Sequence, residues 1–253
     1  MRWIRGFWMA LGMFCGIPLP FHVWDEELTP VMVATLPVVG AVLGVLWWAA
    51  SLALIRLGAP LMMVAAILTV MPFLLAGFIH LDGFMDTADA HLSRRPALQD
   101  RLRILKDPLV GAFAVVMLAI LFLLQFAALF TIADNGRFLG LLVAINVISR
   151  CCSSMAILTL RHSSESNYAA ALGKGVGGKD KVFVGIVAVV VVVVLSVIYA
   201  GVVGIVVVLA VVVGYVWAMR GVYKNFSGVS GDLLGYSLVI SELCGLIALS
   251  LWA

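Results

Sequence analysis

Long apolar stretches separated by short polar ones dominate the chain. A helix needs about 20 apolar residues to cross the hydrocarbon core of a bilayer. The stretches that approach this length are 31–55, 58–79, 109–132, 138–160, 182–199, 202–219 and 233–253. The fifth and sixth stretches join into a charge-free run, 182–219, that would measure about 57 Å as one helix, so we predict a turn around Tyr199-Ala200-Gly201. The pattern predicts an all-α, polytopic integral-membrane helix bundle with about seven transmembrane helices.

Composition supports the same class. Hydrophobic residues make up 64% of the 253 residues, and only 16 basic and 13 acidic residues are present. Mean hydropathy is +1.18. So few charges exclude an ordinary soluble domain and a disordered chain, because both contain a larger share of charged and polar residues. The net charge of +3 is too small to indicate a nucleic-acid partner. We interpret the four cysteines as reduced packing residues.

The distribution of basic residues predicts the orientation of the chain. With seven crossings, 13 of the 16 Lys and Arg residues fall on one side of the membrane and two on the other. Basic residues favour the cytoplasmic side, so we predict a cytoplasmic N-terminus and a site facing the cytoplasm of a bacterial inner membrane. We treat 1–253 as one catalytic domain, with an N-terminal interfacial segment (1–30) broken at 16–20 and two cytoplasmic, site-forming connections (80–108 and 161–181).

Three aspartates follow the second apolar stretch at helical spacing. If this connection is helical, Asp82, Asp86 and Asp89 lie at i, i+4 and i+7 on one face. Clustered carboxylates suit Mg²⁺, Mn²⁺ or Ca²⁺, and at a membrane edge they suit a metal that also holds substrate phosphates. The alternative is a solvated helix face. His80 lies on the opposite side of a regular helix, so we expect it to join the site only if residues 80–82 are not helical.

Further charged residues are candidates for an anion site. Lys106-Asp107 precedes a break at Pro108 and is expected to fold back toward the carboxylates. Ionisable residues inside spans are costly and therefore functional candidates; Arg150 and Glu242 are of this kind, although pairing of Arg150 with an acid of the bundle is the structural alternative. The remaining candidates are Arg101, Arg161, His162, Asp232 and the glycine-rich stretch 173–179. The alternatives are contact with lipid headgroups for the basic connection that contains Arg101, capping of the last helix for Asp232, and a flexible loop for 173–179.

Three motifs in this order resemble one known family. They are His80-x-Asp82-Gly-x-x-Asp86-x-x-Asp89, Lys106-Asp107-x-x-Val-Gly111 and Ser230-Gly-Asp232-x-x-Gly235, and Glu242 follows them. Together they resemble the adenosylcobinamide-GDP ribazoletransferase family, also called cobalamin-5′-phosphate synthase. The resemblance covers nearly the whole chain.

The resemblance implies a late enzyme of cobalamin biosynthesis that assembles the nucleotide loop. It would join adenosylcobinamide-GDP to α-ribazole or its 5′-phosphate and release GMP, using one or two Mg²⁺ ions and no redox cofactor, since the corrinoid is a substrate. The implied roles are metal binding and catalysis for Asp82, Asp86, Asp89 and Asp107, and substrate or phosphate binding for His80, Arg101, Lys106, Arg150, Arg161, His162, Asp232 and Glu242. The implied partners are these substrates and the lipid bilayer, with no nucleic acid and with homo-oligomerisation left open.

Two alternatives compete with this assignment. A CDP-alcohol phosphotransferase that makes phospholipid also arranges aspartates along a helix, but its fuller spacing is not met here. A cation transporter with Glu242 and Arg150 on its path should carry carboxylates at the membrane midplane, whereas the aspartate cluster lies at a predicted membrane edge. Release of GMP, of CMP or of neither distinguishes the three.

Overall fold

The computed structural model of the protein describes residues 1–20, 23–163 and 177–253. Within these ranges the regular elements are all helices, which confirms the all-α prediction. In chain order they are α1 (Arg2–Phe14), a 3₁₀ turn (Glu26–Leu28), α2 (Thr29–Ala34), α3 (Leu36–Arg56), α4 (Leu61–Leu75), α5 (Ile79–Leu92), α6 (Leu98–Leu105), α7 (Ala112–Asn135), α8 (Leu141–Thr159), α9 (Gly178–Val191) with its π-helical continuation (Val192–Ile198), α10 (Val202–Phe226) and α11 (Gly231–Ser250).

Six helices are long and apolar enough to cross a membrane: α3, α7, α8, α9 with its continuation, α10 and α11. Helices α4 and α5 pass the same test as a pair, but a bend of 93° separates them. Counted as one broken span, this pair would bring the number of crossings to the predicted seven; without it the number is six. Since α5 runs nearly perpendicular to α4 and carries three aspartates and two histidines, we place α5 outside the spanning segments.

The bundle is centred on α8 and α11, most of whose residues are buried, whereas α9 exposes most of its surface. Glycines let the neighbouring helices approach these two closely, as small residues do in membrane bundles. A Cβ on Gly44 of α3 would lie 2.8 Å from the Cα atom of Val143 in α8, and one on Gly214 of α10 would lie 2.7 Å from Cys244 Sγ in α11. All four cysteines are free, in agreement with their predicted role as reduced residues.

The N-terminal segment docks on the corner between α4 and α5. Gly77 and Phe78 adopt positive φ angles of 65° and 62° there, which ends α4 and turns the chain. The amide of Gly16 donates to the Leu75 carbonyl oxygen at 2.7 Å. A Cβ on Gly16 would lie 2.7 Å from the Leu74 oxygen, so the predicted break at 16–20 begins at a residue that must be small. Helix α1 rises about 20 Å, too little to cross a bilayer, and its interfacial position stays a prediction.

The predicted turn between the Val-rich stretches 182–199 and 202–219 is confirmed. Gly201, with φ 58°, separates the π-helical end of α9 from α10. Most of the connection 161–181 lies outside the described residues, because 164–176 are not among them, and this includes 173–176 of the glycine-rich stretch.

Candidate active site

Helix α5 carries the predicted acidic face. The chain is helical from Ile79 to Leu92, so Asp82, Asp86 and Asp89 follow one another at the expected spacing. Asp82 is exposed, and the other two are half-buried. The apolar positions between them, such as Phe84 and Ala88, are fully buried. The acidic face therefore lies at the edge of the packed bundle.

A fourth carboxylate reaches this face from α11. A Cβ on Gly83 would lie only 2.8 Å from the Asp232 Cα atom, so the first turn of α11 packs directly on α5. Ser230 is the N-cap residue of α11, and Asp232 lies in its first turn. The alternative reading of Asp232 as the cap is therefore wrong. Its carboxylate lies instead near the positive end of the helix dipole, where an acid is favoured.

The carboxylates are close enough to affect one another. Burial, followed by the charges of Asp82, Asp232 and Asp89, raises the pKa of Asp86 to about 6. Each of these causes penalises the charged form of Asp86. The four carboxylates therefore form a crowded negative cluster, whose repulsion a bound cation would relieve.

The donor set fits Mg²⁺ in one particular way. Within 1–20, 23–163 and 177–253, no three His, Cys, Asp or Glu side chains converge closely enough to hold a metal ion by themselves. Proteins usually hold Mg²⁺ with one or two carboxylates, and substrate phosphates and waters complete the octahedron. The α5 carboxylates suit that arrangement, in which a phosphate-bearing substrate supplies the missing oxygens.

A cavity of about 250 Å³ opens beside the carboxylates. Asp82 and Asp232 lie on its rim with the exposed Gly231. From Gly231 to the buried Leu238, α11 descends about 10 Å along the wall. Apolar side chains cover much of the interior: Met13, Phe14, Leu36, Ile79, Ile157, Leu234 and Leu238. The cavity thus combines an acidic mouth with apolar walls.

Arg150 lines the cavity and is paired with Glu242, which is not among the lining residues. Its Nη1 atom donates to Glu242 Oε1 at 2.7 Å, to the Asn146 backbone oxygen at 3.1 Å and to Asn146 Oδ1 at 3.0 Å. The Ser149 hydroxyl also donates to Glu242 Oε1, at 2.9 Å. The side chains of Arg150 and Glu242 are 3% and 10% exposed. The predicted structural alternative for Arg150 is therefore realised, and Arg150 still lines the cavity.

His80 joins the cavity by a route that differs from the prediction. Residues 80–82 are helical, so the condition we placed on His80 is wrong; His80 lines the cavity because the cavity wraps around the first turn of α5. Its ring stacks on Phe14, with centroids 6.0 Å apart and planes at 12°. Burial and the nearby Arg150 charge lower the pKa of His80 to about 3, which leaves a neutral imidazole.

The chain between α6 and α7 comes close to α5 at Gly111, while the predicted approach of Lys106 and Asp107 to the carboxylates stays a prediction. A Cβ on Gly111 would overlap both carboxylate oxygens of Asp89. Asp107 itself is exposed, and its carboxylate accepts the Leu109 N–H at 3.0 Å. Lys106 is the exposed C-cap residue of α6. The metal or base role of Asp107 and the phosphate role of Lys106 stay predictions.

The Arg101 side chain on α6 donates hydrogen bonds to backbone oxygens of two other segments. Its Nη2 atom donates to the Asn225 oxygen at 2.8 Å and its Nη1 atom to the Pro96 oxygen at 3.0 Å. The Asn225 amide in turn donates to Nδ1 of His91 on α5, at 2.9 Å. Arg101 therefore fastens α6 and the end of α10 beside the carboxylates, while its predicted phosphate contact remains a prediction.

Arg161 and His162 lie where α8 ends. The Val229 amide donates to the Arg161 oxygen, and the Ser163 amide donates to the Val229 oxygen, both at 3.0 Å. The His162 ring donates from Nε2 to the Ile157 oxygen at 3.0 Å. This pairing holds the chain before α11 against the end of α8. The exposed Arg161 side chain keeps its predicted phosphate role, and so does His162.

Three residues to which we assigned no role from the sequence help form the site. Phe14 stacks on His80, Gly111 meets Asp89, and Ser230 lines the cavity with its buried hydroxyl unpartnered among the described residues. The Gly111 and Ser230 positions are part of the motifs, which is the signal that could have found them. Phe14 offers no such signal, because an aromatic in an apolar helix is ordinary.

Comparison with known proteins gives a consistent result. The family model described as cobalamin-5-phosphate synthase matches residues 6–250. A protein of Clostridium perfringens (strain SM101) named adenosylcobinamide-GDP ribazoletransferase is 34% identical over 245 residues, 96% of each chain. Proteins of the same name from Clostridium botulinum (strain Alaska E43) and Pseudomonas fluorescens (strain Pf0-1) are 35% and 31% identical, and the alignments cover 97–98% of this chain and 98% of each relative. No solved structure matches the chain.

Proposed function

The chain belongs to the cobalamin-5-phosphate synthase family, and on that premise we propose that it joins adenosylcobinamide-GDP to α-ribazole or α-ribazole 5′-phosphate, with release of GMP. The observation that carries the proposal is the cluster of four carboxylates, Asp82, Asp86 and Asp89 on α5 and Asp232 on α11, at the mouth of a cavity. A diphosphate substrate brings the oxygens that such a cluster lacks.

The reaction replaces the phosphoanhydride bond of the donor by a phosphodiester bond to the acceptor. A ribose hydroxyl of the acceptor attacks the phosphorus next to the aminopropanol arm of the corrinoid and forms a new P–O bond. The bond from this phosphorus to the bridging oxygen of the diphosphate breaks, and GMP leaves with that oxygen. The hydroxyl proton passes to a carboxylate, for which the candidates are Asp89 and Asp107, since a general base must lie within hydrogen-bond reach of the attacking group.

The α5 carboxylates would hold one or two Mg²⁺ ions together with the diphosphate. When bound, the metal neutralises the phosphate oxygens and stabilises the attacking and leaving oxygens. Lys106, Arg101 and Arg161 are the cations proposed to neutralise phosphate. His80, His162, Arg150 and Glu242 complete the proposed substrate-binding set. Arg150 and Glu242 act from beneath, because their buried ion pair fixes the packing of α8 on α11 under the cavity.

The protein is an integral membrane protein, and we propose that it lies in the bacterial inner membrane with the carboxylates facing the cytoplasm. The asymmetric distribution of basic residues supports this orientation. The test is a protease-cleavable tag at the N-terminus, followed in spheroplasts and in inverted vesicles. Cleavage confined to inverted vesicles is expected, and cleavage in spheroplasts alone would overturn the orientation.

The activity test uses the full chain reconstituted in liposomes. We expect GMP release that requires adenosylcobinamide-GDP, an α-ribazole and Mg²⁺, and no CMP release from CDP-alcohols. Asp82→Asn, Asp86→Asn and Asp89→Asn should each lose most turnover, whereas Asp134→Asn at the exposed end of α7 should not. Absence of GMP release with both ribazole forms would refute the function, and full turnover in all three variants would refute the site.

A further inference from the structure

The charges that line the cavity beside the carboxylates disfavour the phosphate groups of the substrates and favour an uncharged part. Its rim is acidic, through Asp82 and Asp232. Its lining also includes the buried Arg150, whose charge is already matched by Glu242 at 2.7 Å. A second anion entering the cavity would meet two rim carboxylates and no unpaired cation among the lining residues. Phosphate groups are therefore expected to stay at the mouth.

The walls suit an aromatic ring. Phe14 and the stacked ring of His80 form one side. Ile157 and Leu238, which are 4% and 3% exposed, contribute aliphatic surface from α8 and α11. Burial of polar atoms against such walls is costly unless each atom finds a partner. The Ser153 and Ser230 hydroxyls, which also line the cavity and are buried without a partner among the described residues, can satisfy only a few such atoms. A base with few polar edge atoms is therefore favoured over one with many.

Size gives a second restriction. Ligand pockets usually measure roughly 300–1,000 Å³, and this one measures about 250 Å³. A corrin ring is far too large for it, whereas a fused two-ring base is of suitable size. Of the two bases in the proposed reaction, guanine has a polar edge with several donors and acceptors. The benzimidazole of an α-ribazole has a single free ring nitrogen.

We infer that this cavity binds the benzimidazole base of the acceptor nucleoside, with the ribose at the mouth between Asp82 and Asp232. The inference rests on the proposed function and assigns a substrate part to its site. It also makes the acceptor 5′-phosphate dispensable for binding, because that group lies outside the cavity. Ile157 and Leu238 become the residues that contact the base.

The test measures equilibrium binding of α-ribazole to the detergent-purified full chain, without donor and without Mg²⁺. Ile157→Ala and Leu238→Ala each remove aliphatic contact with the base, and we expect each to weaken binding about tenfold, the usual effect of lost apolar contact in a fitted pocket. Ile148→Ala on α8 and Leu246→Ala on α11 are the matched controls, because both residues are buried and neither lines the cavity. The controls should bind as the wild type does.

Competition on the wild type needs no variant to fold. Unlabelled benzimidazole nucleosides should displace α-ribazole, and guanosine should not. Displacement by guanosine, or equal binding by the Ile157 and Leu238 variants and their controls, would overturn the inference. If GMP release is observed but the expected binding and competition results are not, the proposed function stands and only the assignment of the cavity is refuted. If neither α-ribazole nor its 5′-phosphate supports GMP release, the proposed function itself fails.

Discussion

Gly111→Ala should inactivate the site with little effect on the fold. Gly111 is the N-cap residue of α7, with φ −86° and ψ 169°, a conformation that alanine adopts freely. The added methyl group would overlap the Asp89 carboxylate. Because the obstructing atoms are the end of a side chain, the carboxylate can rotate away and the backbones can stay in place. The substitution therefore moves one functional group and little else.

The expected size of the effect follows from this geometry. To reach van der Waals contact, the Asp89 oxygens must move by more than about 1 Å, and misplacement on that scale can cost about 100-fold in rate. Thermal stability should change little, since replacing Gly by Ala at a compatible position stabilises by about 0.4–1 kcal/mol through the unfolded state. We thus expect kcat/KM for GMP release to fall about 100-fold while the unfolding temperature stays within a few degrees.

The assay is GMP release by the reconstituted chain, with thermal unfolding measured on the same preparations. Gly185→Ala in α9 is the matched control, because a Cβ there meets nothing within 4 Å. The double variant Gly111→Ala/Asp89→Asn should be hardly less active than Asp89→Asn alone, since both changes act on one carboxylate. Wild-type turnover by Gly111→Ala, or strict additivity in the double variant, would refute this reasoning.

Three further predictions concern charge and packing. Glu242→Ala leaves the Arg150 guanidinium buried and unmatched, so stability should fall by about 3–5 kcal/mol, and Arg150→Met/Glu242→Leu should recover most of it; a single-variant unfolding temperature equal to wild type would contradict this. Gly83→Ala places a Cβ 2.8 Å from the Asp232 Cα, backbone that cannot move aside, so activity and stability should both fall, unlike Gly221→Ala, where a Cβ meets nothing within 4 Å. The pKa of Asp86 is raised to about 6, so its carboxylate is charged above that pH and protonated below it; apparent Mg²⁺ affinity in the GMP assay should decline as pH falls from 7 to 5, and a flat profile would exclude Asp86 as a ligand.

Local spacing was sufficient to predict some parts of the site. The acidic face of α5 depends only on helical periodicity between Asp82 and Asp89, and the structure places both on one helix. The turn at Gly201 follows from the length of a charge-free run that a bilayer cannot accommodate as one helix. Such inferences succeed because each depends on residues that are neighbours in sequence.

Other features depend on contacts that no local pattern reports. Arg150 and Glu242 are 92 residues apart, and their pairing requires that α8 and α11 pack side by side. The left-handed conformation of Phe78 is also unexpected, because residues with a Cβ rarely adopt it. It arises where α4 must end and α5 must turn, at the corner that Gly16 contacts. The inclusion of His80 in the cavity follows from that corner.

Close helix packing explains why charged side chains and glycines alternate across this site. A Cβ on Gly40 of α3 would lie 2.6 Å from the Arg150 Cδ atom. Gly83 and Gly111 approach Asp232 and Asp89 with similar closeness. In a bilayer, a charge is tolerated when neighbouring backbone and side chains cover it rather than lipid. Glycine lets a backbone come near enough to do so. The glycine between Asp82 and Asp86 in the first motif is therefore a packing requirement of α11, and the spacing of the aspartates around it is what keeps their carboxylates on the open side.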